Sequence, residues 1–181
     1  MTVEPPDPTV LSSAETYNGH FFNVRLDVMR MPNGHESKRE TILHPGAVCA
    51  VAVDAEGLIH FVTQYRHAAR GRLLELPAGT IEPEEDPATA IVRELQEEIG
   101  FRPGIIEARG GFFVAPGYTD EYIHLYFCRQ LTPSKLAADD DEDIVVHRLN
   151  LEDALGAIDD GRIRDAKTVI GILRWAASQR L

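Results

Sequence analysis

The alternation of apolar and polar residues along the chain predicts strands first and helices last. Eight short segments are apolar or alternate in the manner of β-strands, and they span residues 21–29, 38–43, 47–53, 58–65, 72–76, 105–114, 122–129 and 144–149. Residues 151–159 and 166–178 instead repeat apolar side chains at helical spacing and predict two closing helices. With one more helix expected among the strands, this order is typical of an α+β fold.

Two turn signals predict how neighbouring strands pair. The Pro-Asn-Gly sequence at residues 32–34 leads from the segment at 21–29 to the next one, which we expect to return beside it. Residues 54–57 lie between the apolar runs 47–53 and 58–65, and they predict a hairpin there.

Length and composition fit one globular domain. The 181 residues allow a hydrophobic core, and 44% apolar with 26% charged residues is ordinary for such a protein. We expect a disordered lead-in at residues 1–9, N-terminal strands at 10–45 and the main domain at 46–181. No apolar stretch approaches the length of a membrane span, and the N-terminus lacks the regions of a signal peptide. A cytoplasmic location is therefore expected.

Charge and cysteine content restrict the partners. The formal net charge is −11, whereas nucleic-acid-binding proteins need clustered lysine and arginine, so we expect neither a nucleic acid nor a membrane as partner. Cys49 and Cys128 lie in apolar segments outside any CxxC pair. This placement predicts buried free thiols in place of a disulfide or a zinc site.

The helix expected among the strands has an acidic side. Asp86 suits its N-cap and Pro87 its first position. Three glutamates share one side at spacings of three and four residues, namely Glu94, Glu97 and Glu98. The adjoining side is apolar and must pack inward, and it comprises Ala88, Ile91, Leu95 and Ile99.

Carboxylates so close together repel one another and favour a bound cation. Hard divalent ions such as Mg²⁺ or Mn²⁺ take oxygen ligands of this kind. A small polyphosphate would also be repelled by the net charge of −11 unless metal ions reversed the field locally. The alternative is an ordinary solvated acidic helix face.

The run from Gly79 to Phe101 resembles the Nudix box, Gx5Ex7REUxEExGU, where U is a bulky apolar residue. The fixed positions are filled without a gap by Gly79, Glu85, Arg93, Glu94, Leu95, Glu97, Glu98, Gly100 and Phe101. This resemblance implies the Nudix α/β/α sandwich with a mixed sheet, here preceded by N-terminal antiparallel strands. It also implies cleavage of a nucleoside diphosphate linked to another moiety.

Other stretches resemble the ADP-ribose pyrophosphatase branch of that family. They are Gln64-Tyr65-Arg66, Glu75-Leu76-Pro77-Ala78-Gly79, the proline at 116 and the run 161–168. Plainer interpretations exist: a turn at 116–117, a solvated charge at Arg66, and helix caps at Gly161 and Asp165. The branch implies metal-dependent hydrolysis of ADP-ribose to AMP and ribose 5-phosphate. The alternatives are a Nudix hydrolase of another nucleotide sugar or dinucleotide, and a non-catalytic domain that senses ADP-ribose or NAD.

The resemblance also implies roles for individual residues. Two or more Mg²⁺ or Mn²⁺ ions are expected on Glu94, Glu97, Glu98 and the backbone carbonyl of Ala78. Four box residues are expected to be structural, with Arg93 holding the glutamates: Gly79, Glu85, Arg93 and Gly100. Candidate substrate contacts are Arg66, Pro116, Gly117 and Glu121.

Catalysis is expected to involve Glu98 and a base from the acidic loop at residues 139–143. The resembled branch takes its catalytic glutamate from this loop, where Glu142 aligns best and Asp140 is the second choice. The alternative is a solvated run of charges.

Residues 10–45 exceed what a minimal Nudix core requires. The resembled branch uses such segments to form a homodimer, so we expect dimerisation here. The alternative is an extra sheet on a monomer.

Overall fold

The structure, a computed structural model, describes residues 6–137 and 143–179. Contacts between residues divide the chain into two units. The first contains the described part of residues 1–45 together with 113–122, and the second contains residues 46–112 with the described part of 123–181. Within the described residues, no helix is long and apolar enough to cross a membrane.

The first unit holds an antiparallel sheet of three strands in the order β1-β2-β3. These strands are β1 (Thr9–Asn18), β2 (Asn23–Arg30) and β3 (Glu36–Leu43). The return of β3 beside β2 confirms the pairing predicted from the turn at 32–34. Among the described residues of this unit, the buried ones are Asp27 and Thr119, both of them polar. This sheet therefore has no apolar core of its own.

The remaining strands form two further sheets. They are β4 (Ala47–Ala52), β5 (Ile59–Arg66), β6 (Gly71–Glu75), β7 (Ala78–Thr80), β8 (Phe101–Phe113), β9 (Tyr122–Pro133) and β10 (Val145–Leu149). One sheet has the order β7-β4-β9-β8, in which β4 runs parallel to β9 and antiparallel to β7. The other has the order β10-β5-β6 and is antiparallel. The first of these is the mixed sheet that was expected.

In the part of the chain that the structure describes, three α-helices accompany these sheets: α1 (Pro87–Glu94), α2 (Leu151–Asp159) and α3 (Ala166–Ser178). The two closing helices have the predicted bounds. A short 3₁₀ turn, His67–Ala69, connects β5 to β6. The predicted box helix differs in one respect, because α1 gives way to a π-helical turn at Leu95–Ile99 before the chain leaves the helix at Gly100.

The strand β4 is the centre of the core, and both of its faces are buried. Its alternate residues from Ala47 to Val53 pack with Ile172 of α3, whereas those from Val48 to Ala52 pack with Ile91 of α1. Helices therefore cover both faces of the mixed sheet. This layering confirms the α/β/α sandwich, with antiparallel strands added at the N-terminus.

The hairpin predicted from the runs at 47–53 and 58–65 is wrong. The turn itself forms, because Asp54 Oδ1 accepts hydrogen bonds from the amides of Glu56 and Leu58. Beyond a single bridge between Val53 and Ile59, however, the two strands separate into different sheets. With helices on both faces, β4 is a central strand that hydrogen-bonds to β7 along one edge and to β9 along the other, and alternation alone cannot identify such partners.

Cys49 and Cys128 are free and buried, as predicted. They lie on the paired strands β4 and β9. Burial raises the pKa of each thiol to about 12, so both stay protonated near neutral pH.

Candidate active site

The acidic side of the box helix is largely withdrawn from solvent. Asp86 caps α1 by accepting hydrogen bonds from the amides of Ala88 and Thr89, and Pro87 occupies the first turn. Glu94 is 7% exposed and Glu98 is 6% exposed, although both are charged side chains. Burial of two like charges on one helix requires cationic or hydrogen-bonding partners nearby.

Arg93 supplies most of that compensation. Its Nη1 donates hydrogen bonds to Glu94 Oε1 at 2.7 Å and to Glu97 Oε2 at 2.9 Å. Its Nε and Nη2 reach the two oxygens of Glu85, both at 3.0 Å, and Nη2 also reaches the carbonyl of Thr80 at 3.1 Å. The hydrogen bonds with Glu85 are the main reason that the pKa of Arg93 rises and that of Glu85 falls. One guanidinium thus joins three carboxylates to the strand that precedes the helix.

The glycine loop lies directly against the carboxylates. The amide of Ala78 donates a hydrogen bond of 2.9 Å to Glu98 Oε2. A β-carbon built on Gly79 would lie 1.9 Å from the carboxyl carbon of Glu94. The Glu94 carboxylate occupies the space that a side chain at position 79 would need, so glycine allows this carboxylate to lie against β7. At the other end of the box, Gly100 has a φ of 77°, which favours glycine and ends the π-helical turn.

The chemical type of these ligand atoms, which are oxygens, suits a hard divalent cation. Glu98 bonds to the amide of Ala78, and Arg93 joins Glu94 to Glu97. Oxygen ligands are those that Mg²⁺ and Mn²⁺ prefer. Among residues 6–137 and 143–179, no group of three or more histidine, cysteine, aspartate or glutamate side chains is arranged to hold a metal ion as it stands. In this arrangement Arg93 and the amide of Ala78 engage the carboxylate oxygens.

Arg66, at the end of β5, is held by a carboxylate of the adjacent strand. Its Nε and Nη2 donate hydrogen bonds of 2.9 and 2.8 Å to the two oxygens of Glu75. The bonds to Glu75 raise the pKa of Arg66, and the negative charge of Glu98 acts in the same direction. The charge of one box glutamate therefore acts on Arg66. The Arg66 side chain remains 41% exposed.

Several residues of this network were missed by the sequence analysis. Lys167 donates hydrogen bonds to Glu75 and Asp165, and Thr168 Oγ1 accepts one from the amide of Leu76. The sequence analysis used the stretches 75–79 and 161–168 only as marks of a family branch. Two features of the sequence could have indicated this network. Glu75 ends an apolar strand, and Lys167 lies in the first turn of a helix.

The other predicted substrate contacts lie in the first unit. Pro116 and Gly117 are exposed in a turn, where the amides of Tyr118 and Thr119 both donate to the carbonyl of Ala115. The amide of Glu121 donates to Thr119 Oγ1 at 3.2 Å. The turn that was considered as a plainer interpretation is therefore present, and the substrate-binding roles stay predictions.

The predicted bases Glu142 and Asp140 lie outside the described residues. The end of the acidic loop is described at Asp143, which forms a salt bridge with Arg72 of β6.

Comparison with known proteins agrees with this geometry. Residues 43–170 match the NUDIX domain, and residues 8–42 match the nucleoside diphosphate sugar hydrolase N-terminal domain. The chain is 38% identical over 164 residues to a methanol dehydrogenase activator of Bacillus methanolicus, which covers 90% of this chain and 89% of that protein. It is 34% identical over 164 residues to an ADP-ribose pyrophosphatase of Bacillus subtilis (strain 168), again covering 90% of this chain and 89% of that protein.

A solved structure described as an ADP compounds hydrolase is similar in fold. The TM-score is 0.87 at 22% identity, and the match covers 98% of each chain. At this identity the likeness concerns the fold alone.

Replacing Gly79 tests the close approach of strand and helix. In Gly79→Ala the new methyl group must displace the Glu94 carboxylate from Arg93. We expect the free energy of unfolding, measured by urea denaturation, to fall by about 1–3 kcal/mol. The matched control is Gly156→Ala in α2, where the added methyl group meets nothing within 4 Å and should be neutral or stabilising. Equal stability changes in the two variants would contradict this account of the site.

Proposed function

This chain belongs to the Nudix family and is a pyrophosphohydrolase, and we propose that it hydrolyses ADP-ribose to AMP and ribose 5-phosphate in a metal-dependent reaction. One observation supports this most directly. Glu98 and Glu94 lie against the backbone of Ala78 and Gly79, and a single arginine holds Glu94 and Glu97. An acidic cluster of this kind suits a diphosphate only if cations lie between the two.

Nudix hydrolases generally use divalent metal ions, and the donor set of this site fits them. Glu94, Glu97 and Glu98, together with the carbonyl of Ala78, would hold two or more Mg²⁺ or Mn²⁺ ions. Bound there, such ions offset the phosphate charge and lower the pKa of the attacking water. The net charge of −11 supports this requirement, because the protein would otherwise repel its own substrate.

The chain's own residues have distinct roles in this proposal. Arg93 and Glu85 hold the carboxylates in a fixed geometry, so little reorganisation is needed when substrate binds. Arg66 binds a substrate phosphate with the part of its guanidinium that Glu75 does not use. Glu142 accepts a proton from the attacking water. Pro116 and Gly117 contact the substrate, and Glu121 accepts hydrogen bonds from its terminal ribose.

The choice of ADP-ribose rests on relatives. The Bacillus subtilis relative is named an ADP-ribose pyrophosphatase, and the N-terminal match concerns nucleoside diphosphate sugar hydrolases. Hydrolysis of another nucleotide sugar or a dinucleotide is the second candidate. A non-catalytic sensor is disfavoured because every glutamate of the box is present.

A homodimer is the second part of the proposal. The N-terminal sheet lacks a buried apolar core among its described residues, yet it exposes large apolar side chains: Val10, Leu11, Tyr17, Phe21 and Phe22. Exposed apolar surface of this extent favours burial against another chain. We also propose a cytoplasmic location, because Cys49 and Cys128 are free thiols and intracellular proteins keep thiols reduced.

Glu98→Gln tests the proposed activity and its metal dependence. The substitution keeps the side-chain volume but removes the charge that a divalent ion needs, so ADP-ribose turnover with Mg²⁺ or Mn²⁺ should fall at least roughly 100-fold. Chelation of the wild-type protein should abolish turnover. The matched control is Glu152→Gln at the exposed start of α2, which should retain activity. Near-normal turnover by Glu98→Gln, or by the chelated wild type, would overturn the metal assignment.

Glu142→Gln tests the proposed base. Loss of the proton acceptor should lower kcat strongly, on the order of 100-fold or more, while KM and metal affinity change less. Asp140→Asn serves as the comparison. If Asp140→Asn loses kcat and Glu142→Gln does not, the base is Asp140. If neither loses kcat, the loop is not catalytic.

Light scattering at micromolar concentration tests the dimer. We expect twice the chain mass of 20.1 kDa. Val10→Glu places a charge on the exposed β1 and should shift the mass towards that of the monomer, whereas the same change at the exposed Val145 of β10 should not. A wild-type protein that is monomeric throughout would defeat the proposal.

A further inference from the structure

A buried ion network lies behind Arg66. Glu75, at the end of β6, is 1% exposed, and Lys167, in the first turn of α3, is 9% exposed. Glu75 accepts hydrogen bonds from both cations, two from Arg66 and one from Lys167. Burial raises the pKa of Glu75, but the hydrogen bonds and charges of Arg66 and Lys167 outweigh burial and hold that pKa below its usual range. Glu75 is therefore an ionised carboxylate between two cations.

Lys167 is itself fixed by the start of α3. Asp165 caps this helix by accepting hydrogen bonds from the amide and hydroxyl of Thr168, at 3.0 and 2.7 Å, and it accepts a further one from Lys167 at 3.0 Å. Thr168 Oγ1 in turn accepts a hydrogen bond of 2.8 Å from the amide of Leu76. The N-terminus of α3 is thus bonded to the residue that follows Glu75.

The charges of this network determine how much positive field Arg66 presents. A guanidinium paired with one buried carboxylate forms a neutral unit, and its attraction for an external anion is largely cancelled. Lys167 places a second cation on Glu75 and also bonds to Asp165, so the four groups together are neutral. Without Lys167 they would carry a net negative charge, and the field of Arg66 would be cancelled further. The bonds to Glu75 use the Nε and Nη2 side of the guanidinium, and the side chain is 41% exposed. Glu75 therefore leaves donors of Arg66, including those of Nη1, for an approaching anion.

We propose that Lys167 is a positioning residue for substrate binding, acting through Glu75 to keep Arg66 oriented towards the diphosphate and to offset the carboxylates that cancel its positive field. This inference rests on the proposed function, since it assigns Lys167 to the same site. Lys167 does not touch the substrate, and its effect reaches the substrate only through Arg66.

The competing explanation is purely structural. Lys167 would then only neutralise Glu75 and Asp165, and its removal would lower stability without a specific effect on substrate binding. Kinetics of folded variants separates the two explanations, because a positioning role changes KM more than kcat.

The test compares Lys167→Met with Arg174→Met. Methionine keeps the length and apolar stem of lysine but removes its charge, and Arg174 is an exposed cation on the same helix. We expect Lys167→Met to raise KM for ADP-ribose roughly 10-fold with kcat changed less than about threefold, and Arg174→Met to leave both unchanged. Lys167→Arg, which retains the charge, should restore most of the affinity. If Lys167→Met does not fold, Lys167→Gln carries the same expectations.

A double-mutant cycle provides the decisive readout. In an Arg66→Met background, Lys167→Met should raise KM no further, because its effect passes through Arg66. Independent effects on KM, or an unchanged KM in folded Lys167→Met, would overturn the inference while wild-type turnover of ADP-ribose upholds the proposed function. Absence of wild-type turnover would overturn the proposed function and this inference with it.

Discussion

The crowding of carboxylates on the box helix is the constraint on which the rest of this site depends. Glu94 and Glu98 are buried near each other, and Glu97 lies beside them. Arg93 offsets that repulsion, and because it also bonds to Glu85 and to the carbonyl of Thr80, it fixes the helix against β7. The glycine at 79 follows from the same constraint, since a β-carbon there would displace the Glu94 carboxylate. The same ionic hydrogen bonds therefore hold α1, the glycine loop and β7 together.

Local features of the fold were predictable because their causes are local. The bounds of α2 and α3 follow from helical periodicity and from the caps Asn150 and Asp165, whose side chains accept backbone hydrogen bonds. Strand partners were not predictable in the same way. The turn at 54–57 forms as expected, but strand pairing depends on which strands hydrogen-bond to the two edges of β4 while helices cover its faces, and that is a property of the whole core.

The same distinction between local and long-range contacts applies to the candidate site. The contact between Arg93 and Glu85 was expected, because both residues lie at fixed positions of one motif. Glu75 and Lys167 were missed as a pair, because they are 92 residues apart and only the packing of α3 brings them together. The π-helical turn after Glu94 also gave no signal, since the apolar pattern of residues 95–99 suits an α-helix equally well.

Product identification from a nucleotide panel tests the central claim most directly. Purified protein would be incubated with ADP-ribose, other nucleotide sugars and dinucleotides, with and without Mg²⁺ or Mn²⁺, and the products separated by chromatography. The account predicts that ADP-ribose is the preferred substrate and yields equal amounts of AMP and ribose 5-phosphate only when metal is present. Preference for another nucleotide derivative would contradict the proposed substrate, and turnover of none of them would contradict catalysis by this site.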